Sequence, residues 1–423
     1  MLRSPTSTLA TIGSITSIAL LAFASACSSD DGRNSSPDGG SGASSGDGST
    51  SIDRGKVLSA EPLATFTRAQ LEEIRAQAGE LDLPAPEFDV TCTKLRYETI
   101  DLRGEQTTAS GLECAPVGAP GPRPLLSYQH GTVSSDSEIP SAREGIDGLS
   151  LSLFYATAGY VTSSADYLGF GAAPGLHPYL HASTEATASV DMIRAVRRHA
   201  GETGITFGPQ LFLAGYSQGG HATMALHRAL EADYATELPV SASVAMAGPY
   251  DMSKTTLEAA FATPSPATPT YLAYLLVAYD MIYDVYPSPE AAFVDAEAVL
   301  PLFDRKHTFE DIMKALPKTP EAVLRPEFLD ALRSNTDHPF RVALRANDVY
   351  DWKPRAPVRL CHGGADRDVA FQNAVVARER MKALGGDVEL VEVGAQLDHG
   401  TAGIPCEVAS RRFFDDLVAG DTP

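Results

Sequence analysis

Basic residues are scarce in this 423-residue sequence: 33 Lys and Arg stand against 54 Asp and Glu, a formal net charge of −21 at pH 7. A chain this short of cations cannot build the positive surface that a phosphate backbone demands, which excludes nucleic acid as a partner. The same field repels anionic substrates at long range and favours neutral ones. With 43% hydrophobic and 21% charged residues, the composition is that of a soluble globular protein and excludes both wholesale disorder and a polytopic membrane protein. No internal repeat of solenoid length recurs. Cysteine is sparse too, five in all, and the odd count is resolved near the N-terminus. The length suits two or three domains of about 150 residues, or one large α/β domain.

Arg3 precedes a mostly apolar or small stretch from Leu9 to Phe23, and Ala24-Ser25-Ala26-Cys27 follows. A short positive region, an apolar core and small residues before a cleavage point make residues 1–26 a secretory signal. Gly13, Ser14, Thr16 and Ser17 interrupt it, leaving it marginal as a transmembrane span. The tripeptide before Cys27 resembles a bacterial lipobox, which implies a mature protein starting at a lipid-anchored Cys27. Ser28 at the next position favours the outer membrane or cell surface. Residues 27–52 are Ser, Gly and Asp with almost nothing apolar, a disordered tether that cannot repay the entropy of ordering. The membrane is then met only through the anchor, and the globular part is expected to be a monomer.

Setting Cys27 aside leaves Cys92, Cys114, Cys361 and Cys406, an even set in an oxidising compartment. Lys94–Ile100 and Thr107–Leu112 read as strands around the turn signal Arg103-Gly104. Pairing Cys92 with Cys114 across that hairpin puts Thr99 opposite Thr107, a separation that a bridge can close. Cys361–Cys406 follows by elimination.

The remaining chain alternates. A first helix is predicted over Thr67–Ala78, with Thr67 and Gln70 as a capping box, Leu71, Ile74 and Ala78 on one face and Gly79 as its stop. Short strands are predicted at Pro124–Gln129, Tyr160–Ser164, Gln210–Gly215, Val240–Ala247, Val358–Cys361 and Val388–Val393. Helices are predicted at Glu185–His199, Gly219–Ala232, Asn373–Leu384 and Val408–Leu417. A hairpin followed by β-α alternation implies an α/β fold, a mostly parallel mixed sheet with helices on both faces. The core comprises residues 53–252 and 346–423. Residues 253–345 break the alternation with a helical pattern whose centre, Tyr271–Tyr283, is apolar almost all round. That centre is a buried helix of a small subdomain, or a lid whose apolar face meets substrate, and the two are compatible.

Chemistry concentrates in three places. Gly215-Tyr-Ser217-Gln-Gly219 sits between a strand and a helix, where glycines permit the sharp turn that lifts a serine hydroxyl above the sheet edge. A serine needs a histidine base oriented by a carboxylate, in the chain order Ser, Asp/Glu, His. His399, in the loop after the last strand, is the base. Asp366, in Gly363-Gly-Ala-Asp366, is the acid, with Asp368 as the alternative, while Asp398 points elsewhere. The oxyanion needs donors: the backbone N–H of Gln218 is one, and Thr132 in His130-Gly131-Thr132 is the other, with Gly131 close behind. His177 and His181 lie four apart near Asp166, but Pro178 disfavours a helix presenting both, so no metal is expected.

As a set, Tyr128-Gln-His-Gly-Thr132, Asp166-Tyr-Leu-Gly-Phe-Gly171, His177-Pro-Tyr-Leu-His181, Gly215-Tyr-Ser-Gln-Gly-Gly220 and His362-Gly-Gly-Ala-Asp366 resemble the α/β-hydrolase fold of the secretory lipases of the Candida lipase A type, with bacterial lipoprotein relatives. The resemblance runs from about Thr67 to the C-terminus. It implies a catalytic triad, a second oxyanion donor in the loop after the Tyr128 strand, and a helical cap inserted between two late strands, where residues 253–345 fall. The expectation is a secreted carboxylic ester hydrolase acting on a neutral or lipophilic ester through an acyl-enzyme, without a cofactor. A serine peptidase or amidase of the same fold, and an inactive binding lipoprotein, are the alternatives.

Overall fold

The computed structural model describes residues 52–77, 83–142 and 146–420. The signal over 1–26, Cys27 and the tether up to Ser51 lie outside the described residues, as do Ala78 and Gly79 at the end of the first expected helix. Among the described residues, no helix is long and apolar enough to cross a membrane.

Nine strands form one sheet among the described residues, in the order β1-β2-β3-β5-β4-β6-β7-β8-β9. They are β1 (Val57–Phe66), β2 (Val90–Ile100), β3 (Gln106–Pro116), β4 (Arg123–Gln129), β5 (Val161–Ala165), β6 (Phe207–Tyr216), β7 (Ala242–Met246), β8 (Val358–Gly363) and β9 (Val388–Gly394). From β5 onward every neighbour pairs in parallel, while β1, β2, β3 and β5 pair antiparallel. The β2–β3 register brings Cys92 opposite Cys114 and Thr99 opposite Thr107, as the hairpin arithmetic requires. Its turn is closed by Asp101, whose Oδ1 accepts from the N–H groups of Arg103 and Glu105 at 2.8 and 2.9 Å. Gly104 there takes φ +78°, which a side chain would resist. Both expected disulfides are formed, Cys92–Cys114 and Cys361–Cys406.

The helices are α1 (Arg68–Gln77), α2 (Ile146–Ala156), α3 (Ala182–Thr203), α4 (Gln218–Asp233), α5 (Leu257–Ala262), α6 (Thr268–Tyr283), α7 (Pro289–Ala292), α8 (Ala296–Val299), α9 (Phe309–Ala315), α10 (Pro320–Val323), α11 (Pro326–Ser334), α12 (Pro339–Ala346), α13 (Gln372–Ala383) and α14 (Gly403–Ala419). At the start of α1, Thr67 N–H donates to Gln70 Oε1 at 2.9 Å and Gln70 N–H returns to Thr67 Oγ1 at 3.3 Å, the reciprocal capping box. The central strands are buried on both faces, so their apolar residues run on without alternation. Leu125, Leu211 and Leu213 face Val190, Ile193 and Val196 of α3 and Leu226 and Leu230 of α4. The intervening Leu126, Tyr128 and Phe212 face Tyr155 of α2 and Phe414 of α14 on the other side. Each such side chain taken from water contributes about 1.5–3 kcal/mol, which is what holds both helix layers to the sheet.

Two elements depart from the expected pattern. β1 is an added edge strand, mostly exposed and carrying Pro62 at a register shift, so it shows no alternation of burial. α2, where the sequence pattern predicts no element, contains the alternating run Leu149-Ser150-Leu151-Ser152-Leu153, whose period is that of a strand. It is nevertheless helical, and the buried Ser152 hydroxyl is matched by Ser164 Oγ at 3.0 Å.

Between β7 and β8 lie α5 to α12, with a core of their own centred on α6. Leu272, Tyr274, Leu275, Leu276 and Tyr279 of α6 are all buried, because a helix apolar all round must be covered on all sides. Arg305 ties this insertion to the sheet side through a two-pronged bond to Asp136, at 3.2 and 2.9 Å.

Candidate active site

Strands that run parallel end together, and four segments that leave the carboxyl ends of this sheet meet there. Ser217 follows β6, His130-Gly131-Thr132 follows β4, Asp366 follows β8 and His399 follows β9.

Ser217 sits at φ 61°, ψ −121°, a backbone state that a non-glycine residue adopts only where its surroundings enforce it. The enforcement is visible. Its N–H donates to the Met246 carbonyl at 2.9 Å, and α4 begins at the very next residue. A Cβ on Gly219 would run into the Gln129 carbonyl, and one on Gly215 into the carbonyls of Gly219 and Gln129. The two glycines of Gly-x-Ser-x-Gly are therefore demanded by backbone packed against backbone.

His399 bridges Ser217 and Asp366. Its Nε2 lies 2.9 Å from Ser217 Oγ and its Nδ1 lies 2.7 Å from Asp366 Oδ2. Asp366 Oδ1 is occupied separately, accepting the N–H groups of Asp368 and Val369, each at 2.9 Å. With Nδ1–H donating to the carboxylate, Nε2 is left as the acceptor for the serine proton. Burial pulls the Asp366 carboxyl upward, but the bonds from His362 and His399 outweigh it and hold the group at about 2. Burial likewise opposes charge on His399, yet the Asp366 bond and the charges of Asp366, Asp368 and Asp398 raise it above its ordinary value.

The other expected residues fall as follows. Asp368 is half-buried and borders the cavity next to Ser217 rather than bonding to His399. The Asp398 carboxylate is turned onto Thr401, accepting its N–H at 2.9 Å and its hydroxyl at 2.6 Å. Gln218 is the first residue of α4, where helix geometry leaves its N–H without an intrahelical acceptor. Gly131 passes close to the nucleophile turn, since a Cβ there would lie 3.8 Å from Ser217 Cβ and 3.4 Å from the Tyr216 carbonyl oxygen. Thr132 is half-buried beside it, with its hydroxyl on Tyr179 Oη at 2.9 Å. The Cys361–Cys406 bridge joins β8 to the first turn of α14, so the strand leading to Asp366 is tied to the helix following His399. Both ring nitrogens of His177 have protein partners, Leu168 O and Gln218 Nε2, each at 2.8 Å.

A second histidine also reaches the acid. His362 precedes Asp366 in the chain, yet its Nε2 lies 3.1 Å from the same Asp366 Oδ2 and 3.0 Å from the Val369 carbonyl oxygen, because the loop folds back over the strand end. Two further contacts have no signal in the sequence: Tyr216 Oη donates to the His399 carbonyl at 2.6 Å, and Glu185 reaches Gln218 from α3.

A cavity opens at Ser217. Its walls are mostly apolar, with Leu180, Leu272, Leu275 and Val369 among them, and Arg367 and Asp368 are its charged residues. Four of the lining residues, Thr268, Tyr271, Leu272 and Leu275, belong to α6. A hydroxyl with a base behind it, a helix N-terminus beside it and a mostly apolar cavity in front is equipped for acyl transfer.

Residues 136–281 match the secretory lipase family. Among solved structures, the chain is similar to the rice cell wall degrading esterase LipA from Xanthomonas oryzae. The identity is 30%, covering 87% of this chain and 100% of that one, with a TM-score of 0.79. It shares its fold with Candida antarctica lipase A in its closed state, at 19% identity and a TM-score of 0.67, covering 88% of this chain and 84% of that one. No curated protein sequence matches it.

Proposed function

The chain belongs to the secretory lipase family of α/β-hydrolases, and on that footing we propose that it is an exported serine esterase that cleaves neutral or lipophilic carboxylic esters through an acyl-enzyme at Ser217. The observation that carries this reading is the single imidazole of His399 set between Ser217 Oγ and Asp366 Oδ2. Ser217 Oγ attacks the ester carbonyl carbon while its proton passes to His399 Nε2. The carbonyl oxygen, now negative, is held by the N–H groups of Gln218 and Thr132. Collapse expels the alcohol, which takes the proton from His399. Water then attacks the acyl-enzyme by the same route, releasing the acid and restoring the serine. Residues 253–345 act as the cap over the site, a reading supported by the α6 side chains in the cavity wall.

The test is hydrolysis of p-nitrophenyl esters from acetate to palmitate beside an aminoacyl-anilide panel. Ester turnover with an optimum in chain length is expected, and anilide cleavage without ester cleavage would overturn the reading in favour of a peptidase. The pH profile carries a second expectation. The base works only when neutral, so kcat/KM falls as pH drops through the His399 pKa. Because that pKa is raised from its ordinary value of 6.5, the midpoint of the acid limb lies above 6.5. Asp368→Asn removes one of the charges that raise it and moves the midpoint to lower pH. A midpoint at or below 6.5 that ignores this substitution would count against His399 as the base.

Export and anchoring belong to the same proposal. Cleavage after Ala26 and acylation of Cys27 leave the enzyme on a lipid tether at the membrane. Intact mass of the mature protein checks this: a diacylglyceryl adduct on an N-terminal Cys27 is expected, and an unmodified N-terminus elsewhere contradicts it.

A further inference from the structure

Beneath the nucleophile turn lies a second set of buried polar groups, and it converges on Gln218. Gln218 Nε2 donates to Glu185 Oε1 at 3.0 Å and to His177 Nε2 at 2.8 Å. His177 places its own Nδ1–H on the Leu168 carbonyl at 2.8 Å, which leaves Nε2 as the acceptor that Gln218 needs. Glu185 Oε2 faces His221 Nδ1 at 2.7 Å, and His221 Nε2 faces the Asn347 carbonyl oxygen at 2.8 Å. A carbonyl only accepts, so Nε2 carries a hydrogen, and one further proton lies between Nδ1 and Oε2. Glu185, Gln218, His177 and His221 are all at most 3% exposed.

An apolar filling of the same volume often stabilises a fold as well as a buried ionisable set does. Nor does this set satisfy every atom, for Gln218 Oε1 is buried without a hydrogen-bond partner. Its geometry instead does one thing well: both N–H groups of the Gln218 amide are fixed, and with them the side chain and backbone of the residue that follows Ser217. A donor at the first position of a helix has no helical bond to aim it, so its direction is set by whatever holds its residue.

We infer that Glu185 is a positioning residue for the oxyanion site, aiming the Gln218 N–H through the Gln218 side chain, with His221 and His177 locking Glu185 and the amide in one orientation. The inference rests on the esterase reading above. It also links the site to the end of α12, since Asn347, which accepts from His221, is held through its side chain by Tyr283 Oη and Ala182 N, each at 2.9 Å.

The experiment compares Glu185→Met, Glu185→Gln and Gln218→Met with the unaltered chain on the best p-nitrophenyl ester. Each preparation is titrated for active sites with a fluorophosphonate. Per titrated site, Glu185→Met and Gln218→Met are expected to lose about 10- to 100-fold in kcat. Their KM stays within about two-fold, the mark of an interaction made only in the transition state. An alkylboronic acid, whose tetrahedral adduct places an oxygen where the oxyanion forms, weakens by the same factor as kcat. Glu185→Gln restores kcat, because its amide oxygen accepts from Gln218 and its N–H donates to a neutral His221. Unchanged kcat per site and unchanged boronate affinity in Glu185→Met would overturn the inference. A smaller titrated fraction with normal kcat would do so as well, since that is the signature of a purely structural role. Should Glu185→Met not fold, Gln218→Met decides the same question by the same two readouts. An unaltered chain that hydrolyses no ester at all would instead defeat the esterase reading.

Discussion

Ester hydrolysis falls by about 10⁶-fold in Ser217→Ala, the size of loss seen when a nucleophile is removed from a working triad. Alanine occupies the strained φ 61° no worse than serine does, and the glycines around the turn are untouched. The fold is therefore expected to survive, with the unfolding free energy within about 0.5 kcal/mol of the parent. Substrate analogues still bind, because the apolar cavity wall of Leu180, Leu272 and Leu275 does not depend on the hydroxyl. The measurement is turnover on the ester panel beside denaturant unfolding. Residual hydrolysis above about one per cent of the parent, in a preparation free of other esterases, would place the nucleophile elsewhere.

Asp366→Asn is expected to be nearly as damaging, about 10⁴-fold in kcat, and the reason is specific to this loop. Oδ1 of Asp366 accepts two backbone N–H groups, from Asp368 and Val369. An asparagine must keep its oxygen there, because an NH₂ group would face two donors. Its nitrogen is then forced into the Oδ2 position, 2.7 Å from His399 Nδ1 and 3.1 Å from His362 Nε2. His399 can meet a donor only by accepting at Nδ1, which puts its hydrogen on Nε2, facing Ser217. In that tautomer it cannot take the serine proton. Asp368→Asn serves as the contrast, with a loss below about ten-fold, since Asp368 acts on His399 only through its charge. A reversal of the two effects would make Asp368 the orienting acid and would sink the assignment of Asp366.

Much of this could be read before any coordinates, and where it could not, the reason is physical. The Cys92–Cys114 pairing followed from counting along two strands, because β-strand geometry has a fixed rise and alternation that a hairpin turn converts into register. β1 stayed hidden because an exposed edge strand carries no burial pattern, and α2 because its leucines and serines alternate with a strand's period while its neighbours impose a helix. The glycines around Ser217 were legible as a turn. Their clash partners, the carbonyls of Gln129 and Gly219, were only partly so, because Gln129 comes from another strand.

By itself the sequence determined the order of β2 to β9 and of α1, α3, α4, α13 and α14, the strand-turn-helix that carries Ser217, and the loops that carry Asp366 and His399. These depend on periodicity and on residues that tolerate or refuse local backbone states, and such information is local. Tertiary structure alone decided which groups touch: His362 sharing Asp366, Tyr216 holding the His399 carbonyl, Glu185 gripping Gln218 from α3, and α6 lining the cavity. Those contacts turn on hydrogen-bond directions and packing distances of a few ångströms between segments up to 183 residues apart, and no spacing along the chain encodes them.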